Sequence, residues 1–158
     1  MRIRTQFVAE CTAAAAWRAL HDPKVAAGLY APLLVMRPDS PFPPHFGTGS
    51  TVRVQLRAFA VARLGTQEIR ITDVVPRDHG WPRTMRDDGR PLRGMLGGLT
   101  LWCHEISVTP AAENVDHALW TDELRIGGRG AWLLTPPLAL MWWWRGQKLR
   151  RLARRWRT

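Results

Sequence analysis

The sequence predicts an α+β domain, and three observations carry that prediction. Helix-forming and strand-forming stretches are segregated along the chain. The middle of the chain alternates apolar and polar residues with period two, as half-buried strands do. The last twenty or so residues carry a helical period instead, with one apolar and one basic face. The 158 residues are enough for one domain with a real core, and the 46% apolar content favours folding over disorder. The whole of 1–158 is therefore read as one domain.

The elements follow in order. Residues 2–9, RIRTQFVA, suit a strand. Thr12 then stands where an N-cap belongs, ahead of the strong helix former AAAAWRAL. HDPKVAAGL breaks that helix and starts a second, because Pro23 fits a first helical turn. Residues 38–49, with four prolines and two glycines, predict a loop. STVRVQLRAF alternates Val52, Val54 and Leu56 against Arg53, Gln55 and Arg57. TQEIRITDVV sets Ile69, Ile71, Asp73 and Val75 opposite Glu68, Arg70 and Thr72. WPRTM and RDDGRPLRG suggest a further strand and an Asp-Gly turn, with Asp87 and Asp88 as turn formers. LTLWCHEISVTP puts Trp102, His104, Ile106 and Val108 on one face. HALWTDELRI puts Trp120, Asp122, Leu124 and Ile126 on one face and Thr121, Glu123 and Arg125 on the other.

The closing stretch, 136–157, reads as a helix that Pro136 and Pro137 begin. At about 100° per residue, Leu138, Met141, Trp142, Leu149, Leu152, Ala153 and Trp156 share one stripe. Gln147, Arg150, Arg151 and Arg154 fall opposite. Arg145 breaks the pattern in the middle of the apolar stripe, and Trp143 and Trp144 flank it, so at least one of these tryptophans is expected at the surface.

Composition narrows the function classes. The net charge of +10 favours anionic partners by field alone. Only Lys24 and Lys148 are lysines, an arginine bias that base composition of the genome also produces. Cys11 and Cys103 form neither a disulfide framework nor a zinc pattern and are expected as two buried thiols. His21, His45, His79 and His117 have no metal-ligand spacing, so no metal and no cofactor is expected. GMLGG and GGRG lack the strand–loop–helix context of a phosphate loop. Gln6 and Glu10 interrupt any signal-peptide core, and the longest apolar run, 131–144, is too short for a bilayer and contains two prolines. A soluble cytoplasmic chain is expected, with association to a membrane surface as an option.

Four stretches carry a resemblance to a known family. FVAECTAAAAWRALHDP resembles an opening strand, helix and Asp-Pro step. GTGSTVRVQL resembles a glycine-led entry to the middle strands. LWCHEISVTPAAENVDHALWTDELRI resembles paired late strands with a His in the first and a Thr-Asp in the second. WWWRGQKLRRL resembles an aromatic-Arg step in the final helix. Together with the order of elements, these make the chain similar to the START-like superfamily, also called SRPBCC, with its polyketide cyclase/dehydrase and lipid-transport relatives. The resemblance implies a curved antiparallel sheet wrapped around a long C-terminal helix, the helix-grip fold, with an apolar ligand cavity between them. It transfers no catalytic motif residue by residue.

The residues themselves add a polar puzzle. Asp73, His104, Asp122 and Arg145 each lie on an otherwise apolar face. A buried charge must be paired, so Arg145 is expected to meet Asp122 or Asp73 with His104 nearby. That set is a core ion pair, a polar anchor for a ligand carboxylate or hydroxyl, or a His-Asp acid–base pair. With Trp102, Trp120 and Trp142 it forms the candidate ligand cavity.

Three functions follow. The first is binding or carriage of a small hydrophobic ligand. The second is a cofactor-free, polyketide cyclase- or dehydratase-like enzyme working by positioning in the cavity. The third is contact with an anionic membrane surface through Trp144, Lys148, Arg150, Arg151, Arg154, Arg155 and Arg157. Nucleic acid suits the charge, but no nucleic-acid motif accompanies it.

Overall fold

A computed structural model describes residues 1–156. The chain runs β1 (Arg2–Ala9), α1 (Ala13–Leu20), α2 (Pro23–Tyr30), β2 (Leu34–Pro38), β3 (Thr51–Ala58), β4 (Ala62–Val74), β5 (Arg83–Asp87) and β6 (Arg90–Gly94). A short 3-10 turn (Met95–Gly98), β7 (Leu99–Pro110), β8 (Ala118–Gly128) and α3 (Ala131–Ala153) complete it. The strands form one open antiparallel sheet in the order β1-β8-β7-β5-β4-β3-β2, with β6 paired to β4. The curved sheet grips α3, as the α+β reading of the sequence requires.

Local chemistry explains the first elements. Thr12 accepts a hydrogen bond from the Ala15 amide and caps α1, and Asp22 caps α2 ahead of Pro23. On β3, Val52, Val54 and Leu56 are buried while Arg53 and Gln55 are exposed, so the period-two pattern sets the sheet's inner face. The inner face of β8 likewise buries Trp120, Asp122, Leu124 and Ile126. Cys11 is buried, but Cys103 is only half-buried, because it shares the outward face of β7 with Glu105 and Ser107; Arg125 reaches its thiol there.

Three departures from the sequence reading have physical causes. Leu34–Pro38 forms an edge strand on β3, a pairing that a five-residue segment with no clear alternation does not announce. The Asp-Gly step does not reverse the chain. β5 pairs with the end of β4 and β6 with its beginning, so the path stays antiparallel to β4 and only bulges at Asp88-Gly89. An ideal Cβ on Gly89 would lie 1.9 Å from the Glu68 carbonyl oxygen, so the bulge needs glycine.

The third departure is the last helix, which begins at Ala131 rather than at Pro136 and ends at Ala153. Gly130, at φ 80°, supplies the left-handed turn that launches it. Pro136 and Pro137 therefore sit inside α3, exposed, where each withholds a backbone N–H. Leu138, Trp142, Arg145, Leu149 and Ala153 are its inward residues from the second turn onward, packing against β1, β8 and α2.

Candidate functional site

The register of the sheet lines up carboxylates and an imidazole under the helix. Asp87 on β5 is the cross-strand partner of His104 on β7. Asp122 on β8 is opposite Ile106, two residues along from His104. Side chains two apart in a strand share a face, so Asp87, His104 and Asp122 form a polar row on an apolar surface. Arg145 of α3 descends onto it.

Asp122 collects donors on both oxygens. His104 Nε2 lies 2.8 Å from Oδ1, the Trp142 indole N–H donates to the same oxygen at 2.8 Å, and Arg145 Nη1 donates to Oδ2. Arg145 Nη1 is also 3.1 Å from His104 Nε2. That nitrogen can donate to Asp122 or accept from Arg145, but not both. The carboxylate charge favours donation from Nε2 to Asp122. Burial would raise the Asp122 pKa, but the charges of Arg145 and His104 and the hydrogen bonds from His104 and Trp142 hold it below the ordinary value.

Arg145 is also held by aromatic faces, with its guanidinium carbon 5.0 Å from the Tyr30 ring centroid and 5.8 Å from that of Trp142. Burial pushes the Tyr30 phenol up to about 12 against the pull of Arg145. Asp87 is held differently: both of its hydrogen bonds, from the Arg70 and Gly89 amides, fall on Oδ1. Burial raises its pKa more than those bonds and the nearby His104 lower it.

Between the sheet, α2 and α3 lies a cavity of about 380 Å³. Its walls are apolar, with Leu29, Phe46, Val54, Ile71, Met85 and Ile106 among them. Its polar patch is Gln67, Asp87, His104 and Arg145, all buried. Phe59, Met95 and Leu140 line it as well and are more than half exposed, which marks its mouth. Trp102, Trp120 and Trp142 line the cavity without filling it. Asp122 stands one layer behind, holding Arg145 and His104.

Asp73 does not join this group. Its carboxylate is 3.0 Å from His21 Nε2, while His21 Nδ1 is 2.7 Å from the Trp17 carbonyl. Both ring nitrogens face acceptors, which favours the doubly protonated ring. Burial opposes that charge, but the hydrogen bonds to Asp73 and Trp17 and the Asp73 charge prevail and raise the His21 pKa. His45 stacks on His21 at 4.9 Å, and the Phe46 amide bonds the His21 carbonyl, so this pair pins the 39–50 loop across the cavity's side.

The basic face of α3 is partly spent inside the fold. Lys148 turns inward and donates to the Gly28 and Ala31 carbonyls at the end of α2, at 2.6 and 2.7 Å. Trp144 is half-buried, and Trp143 is the exposed tryptophan of the pair. Arg154 bonds Glu10, and Arg150 lies over Phe7. Arg150, Arg151, Arg154 and Arg155 are exposed, and Arg157 lies outside the described residues. Among the described residues no group of three or more His, Cys, Asp and Glu side chains is placed to hold a metal, and no helix is long and apolar enough to cross a membrane.

Sequence reasoning missed Tyr30, Gln67, Asp87 and His21 as members of these sites. Asp87 was hidden by its neighbours Asp88 and Gly89, which imitate a turn. Tyr30, the only tyrosine in the chain, carried no pattern signal.

No protein-family model matches the sequence, and no curated relative matches it. Solved structures do. A protein from Chromobacterium violaceum superposes with a TM-score of 0.72 at 18% identity, over 97% of this chain and 96% of that one. Norcoclaurine synthase from Thalictrum flavum, solved with dopamine and hydroxybenzaldehyde, gives a TM-score of 0.59 at 15% identity, over 96% and 85%. A protein of the dynemicin biosynthetic locus gives 0.57 at 19%, over 95% of this chain and 46% of that one. The fold is the helix-grip fold. At these identities the likeness extends to the fold and no further.

Proposed function

We propose that the protein binds or carries a small hydrophobic ligand in the cavity between the sheet and α3. The observation that supports this most is the cavity itself: about 380 Å³, apolar-walled, with a mouth of exposed apolar side chains. A cavity of this size and lining suits an organic ligand, and burying apolar surface there is favourable at about 25 cal/mol per Å². The dopamine and hydroxybenzaldehyde bound to norcoclaurine synthase belong to that protein; they support small-molecule binding as a use of the fold. The test is mass spectrometry of an organic extract of the purified protein. A co-purifying apolar molecule at near-equal stoichiometry is expected. An extract without one, from protein that also takes up no added amphiphile, overturns the reading.

A second reading, a cofactor-free cyclase- or dehydratase-like enzyme, is favoured by the His104–Asp122 contact of 2.8 Å beside the cavity. Asp122 orients the ring, and Nδ1 would be the acid–base nitrogen. Recovery of the natural ligand unchanged after prolonged incubation with the protein counts against it. Contact with an anionic membrane through α3 is the weakest reading, since Lys148 and Arg154 are already engaged within the fold.

A further inference from the structure

The polar patch of the cavity discriminates between head groups, and it does so by its charge balance. Arg145 is, among the described residues, the one arginine or lysine that lines the cavity. Its charge is already matched by Asp122, which it contacts directly. Asp87 adds a second carboxyl that faces the cavity with no cation paired to it. The patch therefore has no positive charge to spare. A carboxylate head would meet the Asp87 carboxyl and a guanidinium already committed to Asp122.

The hydrogen-bond inventory points the same way. Trp102 Nε1 and Arg145 Nε are both buried donors without an acceptor. Such groups are costly while unsatisfied, so an incoming acceptor is favoured. Asp87 has the opposite need. Its backbone bonds use Oδ1 alone, and Oδ2 takes no backbone donor among the described residues. The Trp102 indole lies close enough to Asp87 to favour its charged form without completing a hydrogen bond to it. One group that both accepts and donates fits between them. A hydroxyl does this; a carboxylate only accepts, and an ammonium only donates. An ammonium could pair with Asp87, but it accepts nothing and would leave the buried Trp102 and Arg145 donors unsatisfied.

We propose that the cavity selects an amphiphile with an uncharged hydroxyl head, an alcohol or a phenol, bound at Asp87 and Trp102. This rests on the reading of the cavity as a ligand site. The experiment is calorimetric titration of the full chain with decan-1-ol, decanoate and decylammonium at neutral pH. Decan-1-ol is expected to bind at least about tenfold more tightly than either charged probe, the equivalent of one hydrogen-bonding group of about 1.4 kcal/mol. Trp102→Phe is expected to lose several-fold in decan-1-ol affinity. Asp87→Asn keeps an oxygen for the Arg70 and Gly89 amides, and it is expected to narrow the discrimination against decanoate. Equal binding of all three probes, or tightest binding of decanoate or decylammonium, overturns the hydroxyl preference while leaving the cavity reading intact. Binding of none of them by well-folded protein overturns the cavity reading, and the preference with it.

Discussion

Arg145 and Asp122 are joined by a salt bridge sealed from solvent, each residue only 3% exposed. Removing one partner strands a charge in the core. Arg145→Met is expected to destabilise the protein by about 3–5 kcal/mol, measured by urea unfolding. Arg145→Met with Asp122→Leu removes both charges and is expected to recover much of that loss. A double-mutant cycle with no coupling would show that the pair contributes nothing beyond its parts. The pH dependence has a fixed sign. Asp122 has a lowered pKa in the fold, so its stabilisation is present above the unfolded value of about 3.9 and is lost as pH falls through the folded value. Asp122→Asn is expected to blunt the acid limb of the stability profile.

How much of this was legible follows from what each residue announces. Asp122 and His104 were legible because a polar residue in a period-two apolar face has nowhere to hide. Arg145 was legible for the same reason on a helical period. Their partnership was half-legible: Asp73 shows the same sequence signal as Asp122, and only the register of β8 under α3 separates them. Asp87 was not legible, because a chain that bulges and a chain that reverses both use Asp-Asp-Gly. The start of α3 was misread because Pro136 and Pro137 mimic a first turn, while Gly130 supplies the real launch.

The His21–Asp73 pair predicts the opposite pH dependence. The His21 pKa is raised, so its stabilisation is full below the unfolded value of about 6.5 and is lost as pH rises through the folded value. The melting temperature is expected to fall across that interval, and Asp73→Asn is expected to flatten the slope. An NMR titration of the His21 ring that gives an unshifted midpoint would contradict the doubly protonated ring. Hydrogen exchange at the Phe46 amide, which bonds the His21 carbonyl, is expected to quicken as His21 deprotonates.

Two glycine substitutions are expected to diverge in sign. At Gly89 an added Cβ meets the Glu68 carbonyl oxygen at 1.9 Å and the Arg70 amide nitrogen at 2.9 Å, both backbone atoms that cannot step aside. Gly89→Ala is expected to cost about 3 kcal/mol or more and to loosen the Asp87 carboxyl that the bulge holds. Gly28 lies within α2 with nothing inside 4 Å of the added Cβ. Gly28→Ala is expected to stabilise by about 0.5–1 kcal/mol. Urea unfolding of both variants checks the pair, and equal effects would contradict the close approach at β4.

Ala26 offers a direct test of where a ligand sits. It lies on α2, lines the cavity and is only partly buried, so a larger side chain can grow into empty space. Ala26→Phe is expected to leave stability unchanged or slightly raised, because filling a void restores lost contacts. It is expected to weaken decan-1-ol binding by at least about tenfold, or about 1.4 kcal/mol, by occupying the volume the chain of the ligand needs. Near-ultraviolet circular dichroism confirms that the fold is kept. Binding that survives Ala26→Phe at full strength would place the ligand outside the cavity, for instance on the exposed apolar side chains of α3, Trp132, Leu133 and Trp143. Substituting Trp132 and Leu133 with serine would then abolish binding that Ala26→Phe had spared.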